Sequence, residues 1–327
     1  MRRRDFIKLV GAGAAAWPTA SRGQEPGRTY RVGFLIPAGR QTPPVAALLD
    51  ELRLNGFIEG VNLTILPGGF ATTDDHLAEQ AAALVHAAPD VVVAGPELPL
   101  QALQALTRTV PLVGMTEDMV GAGLAQSLGR PGGNITGISL LSPELDSKRQ
   151  DILIEMVPGA HRIAAIADGR VTSPIHIQVL QQGARSRGVE LSVFSVGNPE
   201  EITSAINAAK TSGSEALNFL ASPLFALPGT HNFDIVMEGI AKVRLPGIFQ
   251  WAETAEAGSL AAYGPRFIDM YRQRARMVVK ILRGVKPADI PVEQPTRFEL
   301  VINLKAAQAI GLDVPASLVA RSDKVIE

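Results

Sequence analysis

Little in this 327-residue chain is of a type and spacing that does covalent chemistry. Cysteine is absent, which removes thiolate nucleophiles, disulfides and cysteine metal sites together. The five histidines (His76, His86, His161, His176, His231) are scattered, and each reads as a surface or helix residue rather than a ligand or base. There is no Gly-x-Ser-x-Gly elbow, no Gly-x-x-x-x-Gly-Lys-Ser/Thr phosphate loop and no His-Glu-x-x-His helix. Asp74-Asp75 reads as helix capping and Gly132-Gly133 as turn chemistry. What remains is suited to holding a small molecule without reacting with it. A carboxylate such as Glu117 or Asp118 can hold an ammonium group. A helix N-terminus can receive a carboxylate, and Phe225 or Trp251 can cover an apolar part.

These residues matter because of where the elements place them. Apolar runs stopped by Gly, Pro or Asp predict strands over residues 30–36, 63–66, 91–94, 111–114 and 135–139. The rhythm restarts with strands over 163–167, 191–196, 216–220, 247–250, 259–264 and 298–302. Helical spacing fills the intervals, including a short helix over 123–128 and a long one over 267–283. In the long helix Arg272, Arg274, Arg276 and Arg283 read as a solvated face. Asn303 is expected to cap a last helix ending at Gly311. Strands alternating with helices at this pace mean α/β architecture, with parallel sheets covered on both faces. The length favours two such lobes, because single cores stop growing at roughly 250–300 residues.

In doubly wound sheets, ligands sit beyond the carboxyl ends of the strands. In the first half those ends carry Ala38 and Gly39, then Pro96 and Glu97, then Thr116, Glu117 and Asp118. In the second they carry Asp168 and Arg170, then Ser222, Pro223 and Phe225, then Gln250 and Trp251. These are the candidate ligand-binding residues, with Asp118 foremost. No catalytic residue, metal ligand or cofactor is expected.

The first 23 residues read differently from the rest. Arg2, Arg3, Arg4 and Lys8 open a basic segment, an apolar run follows to Trp17, and small residues around Ser21 and Gly23 close it. That is the order of an export signal, and the run is about half the ~20 residues a spanning helix needs. Arg3, Arg4, Phe6 and Lys8 fit the twin-arginine pattern Arg-Arg-x-Phe-x-Lys. Gly11-x-Gly13 falls inside this segment and so is no dinucleotide fingerprint. Removing the segment's five basic residues and one acid takes the formal charge from −1 to −5. A mildly acidic chain without a basic tract is a poor partner for nucleic acid or a membrane surface. The expectation is a periplasmic protein, free in solution and monomeric after cleavage.

Several segments taken together resemble the substrate-binding proteins of ABC importers, of the tryptophan/tyrosine-binding type. They are Arg31-Val32-Gly33-Phe34-Leu35, Asn55-Gly56-Phe57-x-Glu59-Gly60-x-Asn62, and Ser127-Leu128-x-Arg130-Pro131-Gly132-Gly133-Asn134-Ile135-Thr136-Gly137. Lys286-Pro287-Ala288-Asp289-x-Pro291-Val292-x-Gln294-Pro295-Thr296 and Phe298-Glu299-Leu300-Val301-Ile302-Asn303-Leu304-Lys305 complete the set. The resemblance implies a type I periplasmic-binding-protein fold, two doubly wound lobes joined by three hinge strands that close on a ligand. It implies residues 28–139 plus 262–290 in the first lobe and 140–261 plus 291–327 in the second. It also implies a small-molecule ligand, an amino acid or related carboxylate, and an ABC permease with its ATPase as partner. The sequence departs from the family's pattern at Met115-Thr116-Glu117-Asp118-Met119-Val120, Gly95-Pro96-Glu97-Leu98 and Asp168-Gly169-Arg170, the loops where the pocket is expected. Two other readings stay open at this stage: a sensor that presents its ligand to a membrane receptor, and an exported α/β enzyme.

Overall fold

A computed structural model describes residues 27–140, 142–225, 228 and 230–327. The expected export segment, with Arg3, Arg4, Phe6 and Lys8, lies outside the described residues. Two sheets carry the chain. The smaller holds β1 (Tyr30–Leu35), β2 (Leu63–Ile65), β3 (Val91–Ala94), β4 (Leu112–Thr116) and β5 (Ile135–Ser139), in the order β2-β1-β3-β4-β5 and all parallel. Helices α1 (Pro43–Leu54), α2 (Leu77–His86) and α3 (Glu97–Leu106) link its strands. A parallel strand covered on both faces needs an unbroken apolar run. Val91-Val92-Val93-Ala94 supplies one, and β3 is buried at every position.

After α4 (Ser142–Met156) the chain builds the larger sheet. Its elements are β6 (Arg162–Asp168), α5 (Pro174–Ser186), β7 (Glu190–Val196), α6 (Ile202–Thr211), β8 (Leu217–Phe219), α7 (His231–Val243), β9 (Gly247–Phe249), α8 (Ala252–Glu256) and β10 (Ala261–Gly264). The chain then makes α9 (Phe267–Leu282) and returns through β11 (Glu299–Asn303), α10 (Leu304–Ile310), α11 (Ala316–Ala320) and β12 (Lys324–Ile326). The order is β12-β11-β10-β9-β8-β6-β7, parallel throughout except where β10 meets β11. Asn303 caps α10 as expected, its side chain accepting from Ala306 N at 3.0 Å.

Apart from α11 and β12, which the sequence reading did not include, three details differ from it. Residues 123–128 form turns rather than a helix; Gly123 there has φ +69°, a conformation that ends helices. The lobe boundaries also shift. β10 pairs with β9 and β11, so residues 262–264 belong to the larger sheet. Residues 291–293 run instead beside β5, where Val292 N reaches Leu128 O at 2.8 Å and Glu293 N reaches Gly137 O at 2.9 Å. The chain therefore passes between the sheets after β5, between β10 and α9, and between Glu293 and β11. The third correction concerns α9. The helix itself lies in the smaller lobe, the lobe the sequence reading gave it, with Arg283 Nη2 donating to Asn55 O at 3.1 Å; what changes is the face on which Arg274 lies. Arg274 is 1% exposed, not solvated. Phe267, Tyr271, Arg274, Val278 and Ile281 recur at three- and four-residue steps and share one buried stripe.

Candidate functional site

The carboxyl ends of β3 and β4 face those of β8 and β9 across the gap between the sheets. They enclose a cavity of about 40 Å³, room for about three or four waters at ~10–15 Å³ each. Pro96, Glu117, Ser222, Pro223, Gln250 and Trp251, all expected from the sequence, line it. The two walls touch where Gln250 Nε2 donates to Glu117 Oε2 at 3.3 Å. Gly95 holds the β3 end close to β4: its φ is +144°, and a Cβ there would lie 2.8 Å from Met115 O. No side chain larger than hydrogen fits that approach.

The remaining candidates do not line the cavity. Asp118 is exposed, and its Oδ1 accepts from Val120 N at 3.1 Å and Gly121 N at 2.9 Å. It caps a turn and lines an outer groove with Glu144 and Gln294, not the enclosed cavity. Glu97 opens α3 and accepts from Gln101 at 2.7 Å; burial, with Asp118's charge adding, pushes its carboxyl up. Thr116 is buried in β4, and its carbonyl takes Leu140 N at 3.0 Å. The carbonyls of Ala38 and Gly39 take Ala71 N and Thr42 N, both at 3.1 Å. Phe225 is fully buried and packs edge-on against Phe219, 5.7 Å between centroids, so it is core.

Asp168 and Arg170 stand behind the cavity wall. Asp168 is fully buried. Its Oδ1 takes Arg170 N and Nε, both at 3.0 Å, and its Oδ2 takes Ser222 Oγ at 2.8 Å. Ser222 Oγ in turn accepts from Leu224 N at 3.0 Å. Asp168 thus fixes the Ser222 side chain within the cavity wall. A second network lies alongside. Arg149 pairs with Asp146, and Asp146 accepts from Ala221 N at 3.1 Å while Arg149 Nη1 donates to Tyr263 O at 3.0 Å. This pair pins the start of the Ser222 loop to the end of β10.

Sequence reasoning missed the floor of the cavity, which comes from α9. Phe267, Tyr271 and Arg274 line it. Trp251 meets Phe267 edge-on at 4.7 Å, Phe267 tilts against Tyr271 at 5.0 Å, and the Arg274 guanidinium stands 5.1 Å from the Tyr271 ring centroid. Arg274 Nη2 donates to Ala94 O at 2.7 Å. Burial pushes the Arg274 guanidinium down and the Tyr271 hydroxyl up; arginine nevertheless remains a cation at neutral pH.

Residues 48–326 match the family described as "ABC transporter substrate binding protein". The chain belongs to that family. A "Tyrosine-binding protein" of Clostridioides difficile strain R20291 is 26% identical over 216 residues, 65% of this chain, and the match spans 60% of that relative's length. Among solved structures, a conserved domain protein of Vibrio cholerae is 25% identical with a TM-score of 0.78, covering 91% of this chain and 99% of that one. The ABC domain of Streptococcus pneumoniae solved in complex with L-Trp is 23% identical with a TM-score of 0.77, covering 91% and 100%. The two-lobed α/β fold read from the sequence is therefore that of substrate-binding proteins. A larger concavity, about 990 Å³, opens at the amino ends of the smaller sheet's strands, beside Arg28, Asp90 and Arg108. It lies off the strand ends where ligands of such folds sit. Among the described residues no helix is long and apolar enough to cross a membrane, and no group of three His, Asp or Glu is placed to hold a metal ion.

Proposed function

We propose that this chain is the extracytoplasmic solute-binding component of an ABC importer. It captures a small polar molecule, an amino acid or related carboxylate, between its lobes and delivers the closed complex to a permease and its ATPase. The observation that carries this reading is the cleft. Its two walls come from different sheets, meet at Gln250 and Glu117, and leave only about 40 Å³ between them. A molecule of amino-acid size enters when the walls part. Three connections between the sheets are where backbone rotation can absorb that motion. The ligand favours closure by binding the closed form better. The names of the two relatives, one tyrosine-binding and one solved with L-Trp, support an amino-acid-like ligand. Export by the twin-arginine route, with Arg3, Arg4, Phe6 and Lys8 as the address, completes the proposal. We assign the chain no catalytic step.

The test is a thermal-shift screen of the mature chain against the common amino acids, small aromatic carboxylates and neutral sugars. X-ray scattering is then recorded with and without each hit. A compound present at 100 times its Kd adds about 2.7 kcal/mol, and the radius of gyration falls as the lobes close. A screen in which no compound of any class raises Tm sinks the reading.

A further inference from the structure

Arg274 is the anomaly of the cleft. It is 1% exposed, yet among the described residues no carboxylate lies within ion-pair distance of it. Its protein partners are neutral: the carbonyls of Ala94 and Val113, at 2.7 and 3.3 Å, and the Tyr271 ring. Its Nε is buried and has no acceptor among the described residues. A buried cation without an anion is costly, and folds pair such charges or use them. The other wall has a matching deficit. Gln250 Oε1 is buried with no donor, and it too belongs to a residue lining the cavity. One molecule placed between the walls would supply both needs, an anionic acceptor for Arg274 and an N–H or O–H donor for Gln250. The rings of Trp251, Phe267 and Tyr271 supply an apolar surface between them.

We infer that Arg274 is the anion anchor of the cleft, and that the ligand is a small carboxylate carrying a hydrogen-bond donor and an apolar group. The inference rests on the solute-binding reading above and deepens it. A guanidinium suits the role because its fork presents donors to both carboxylate oxygens, whereas a lysine offers a point charge. α-Amino acids and α-hydroxy acids share this chemistry, and the assay arms separate them.

Wild type, Arg274→Met and Arg274→Lys are compared by thermal shift and calorimetry. The probes are L-phenylalanine, L-tyrosine, L-tryptophan, L-phenyllactate, the primary amide of each, and neutral sugars. The expected result is that at least one carboxylate stabilises wild type while its amide does not. Arg274→Met should lose affinity on the order of 10- to 100-fold, the range of a charge-assisted contact of ~1.5–3 kcal/mol. Arg274→Lys should recover part of it. Circular dichroism establishes that each variant is folded; if Arg274→Met is not, Arg274→Gln takes its place. Equal Kd in wild type and the neutral variants overturns the anchor, as does stabilisation by amides or sugars alone. In both of those cases solute capture itself stands. Stabilisation by no probe of either charge class overturns both.

Discussion

The two lobes each bury an arginine completely, and they treat it in opposite ways. Arg149 on α4 packs against Asp146, whose carboxylate also takes Ala221 N and lies 3.3 Å from His176 Nε2. Among the described residues, Arg274 on α9 has only two carbonyls and a ring. Both sit beside the same cleft, so location alone does not account for the contrast. The difference is compensation. Each arginine leaves its Nε without an acceptor among the described residues, but a buried charge with its counter-ion in place is a structural fixture, here one that positions the Ser222 loop. A buried charge left without a counter-ion is poised for one from outside. Ionic pairing, not burial, separates the arginine that holds the site from the one that serves it.

The largest expected effect tests the first half of that contrast. Asp146→Asn keeps the volume but leaves Arg149 an uncompensated buried cation, which should cost about 3–5 kcal/mol in urea unfolding. Arg274→Met in the ligand-free protein should change stability by no more than about 1–2 kcal/mol, because relief of an unpaired charge offsets the lost carbonyl contacts. Equal losses for the two variants would erase the distinction.

The same contrast explains what the sequence could and could not disclose. Continuous apolar runs such as Val91-Val92-Val93-Ala94 announce buried parallel strands, and both sheets were legible from them. β12 was not, because Lys324-Val325-Ile326 is too short to carry a period. The strand-end rule located Pro96, Glu117, Ser222, Pro223, Gln250 and Trp251 at the cleft. It could not reach Arg274, which lies on a helix that enters the smaller lobe only after the chain has left β10. A signal did exist. Arg274 occupies the apolar stripe of α9, three residues after Tyr271 and four before Val278, while Arg272 and Arg276 fall outside it. An arginine in register with buried residues is a different object from one on the polar face, even when four arginines crowd one helix. The Arg149 pair was less visible, since the i, i+3 spacing of Asp146 and Arg149 is common on solvated helices.

A smaller effect probes the Asp146 network from its third member. Burial is the main influence on His176 and pushes its imidazole below the ordinary value; Asp146 and Glu144 oppose that, and Arg149 adds to it. The folded state therefore binds fewer protons than the unfolded one between the lowered value and about 6.5. Stability from neutral His176 is complete above pH ~6.5 and drains away as pH falls toward the lowered folded value. Tm measured from pH 8 to pH 5 should decline in wild type, and His176→Gln should flatten that part of the curve. An unchanged slope in the variant would mean that the imidazole is not held neutral against Asp146 and Arg149.

The smallest effect concerns Asp118, foremost by sequence and yet outside the cavity. Its carboxylate closes a turn on Val120 N and Gly121 N, in solvent. Asp118→Ala removes that turn bond and should cost about 1 kcal/mol of stability. The affinity of a carboxylate held by Arg274 should stay within about twofold of wild type, because charges separated by solvent are screened. A tenfold loss, roughly 1.4 kcal/mol, would mean that the turn opens toward the ligand when the lobes part. Asp118 would then join Glu117 on the binding wall, and the smaller lobe would offer its ligand a second carboxylate beside the Arg274 guanidinium. That outcome would select a zwitterion over a simple acid.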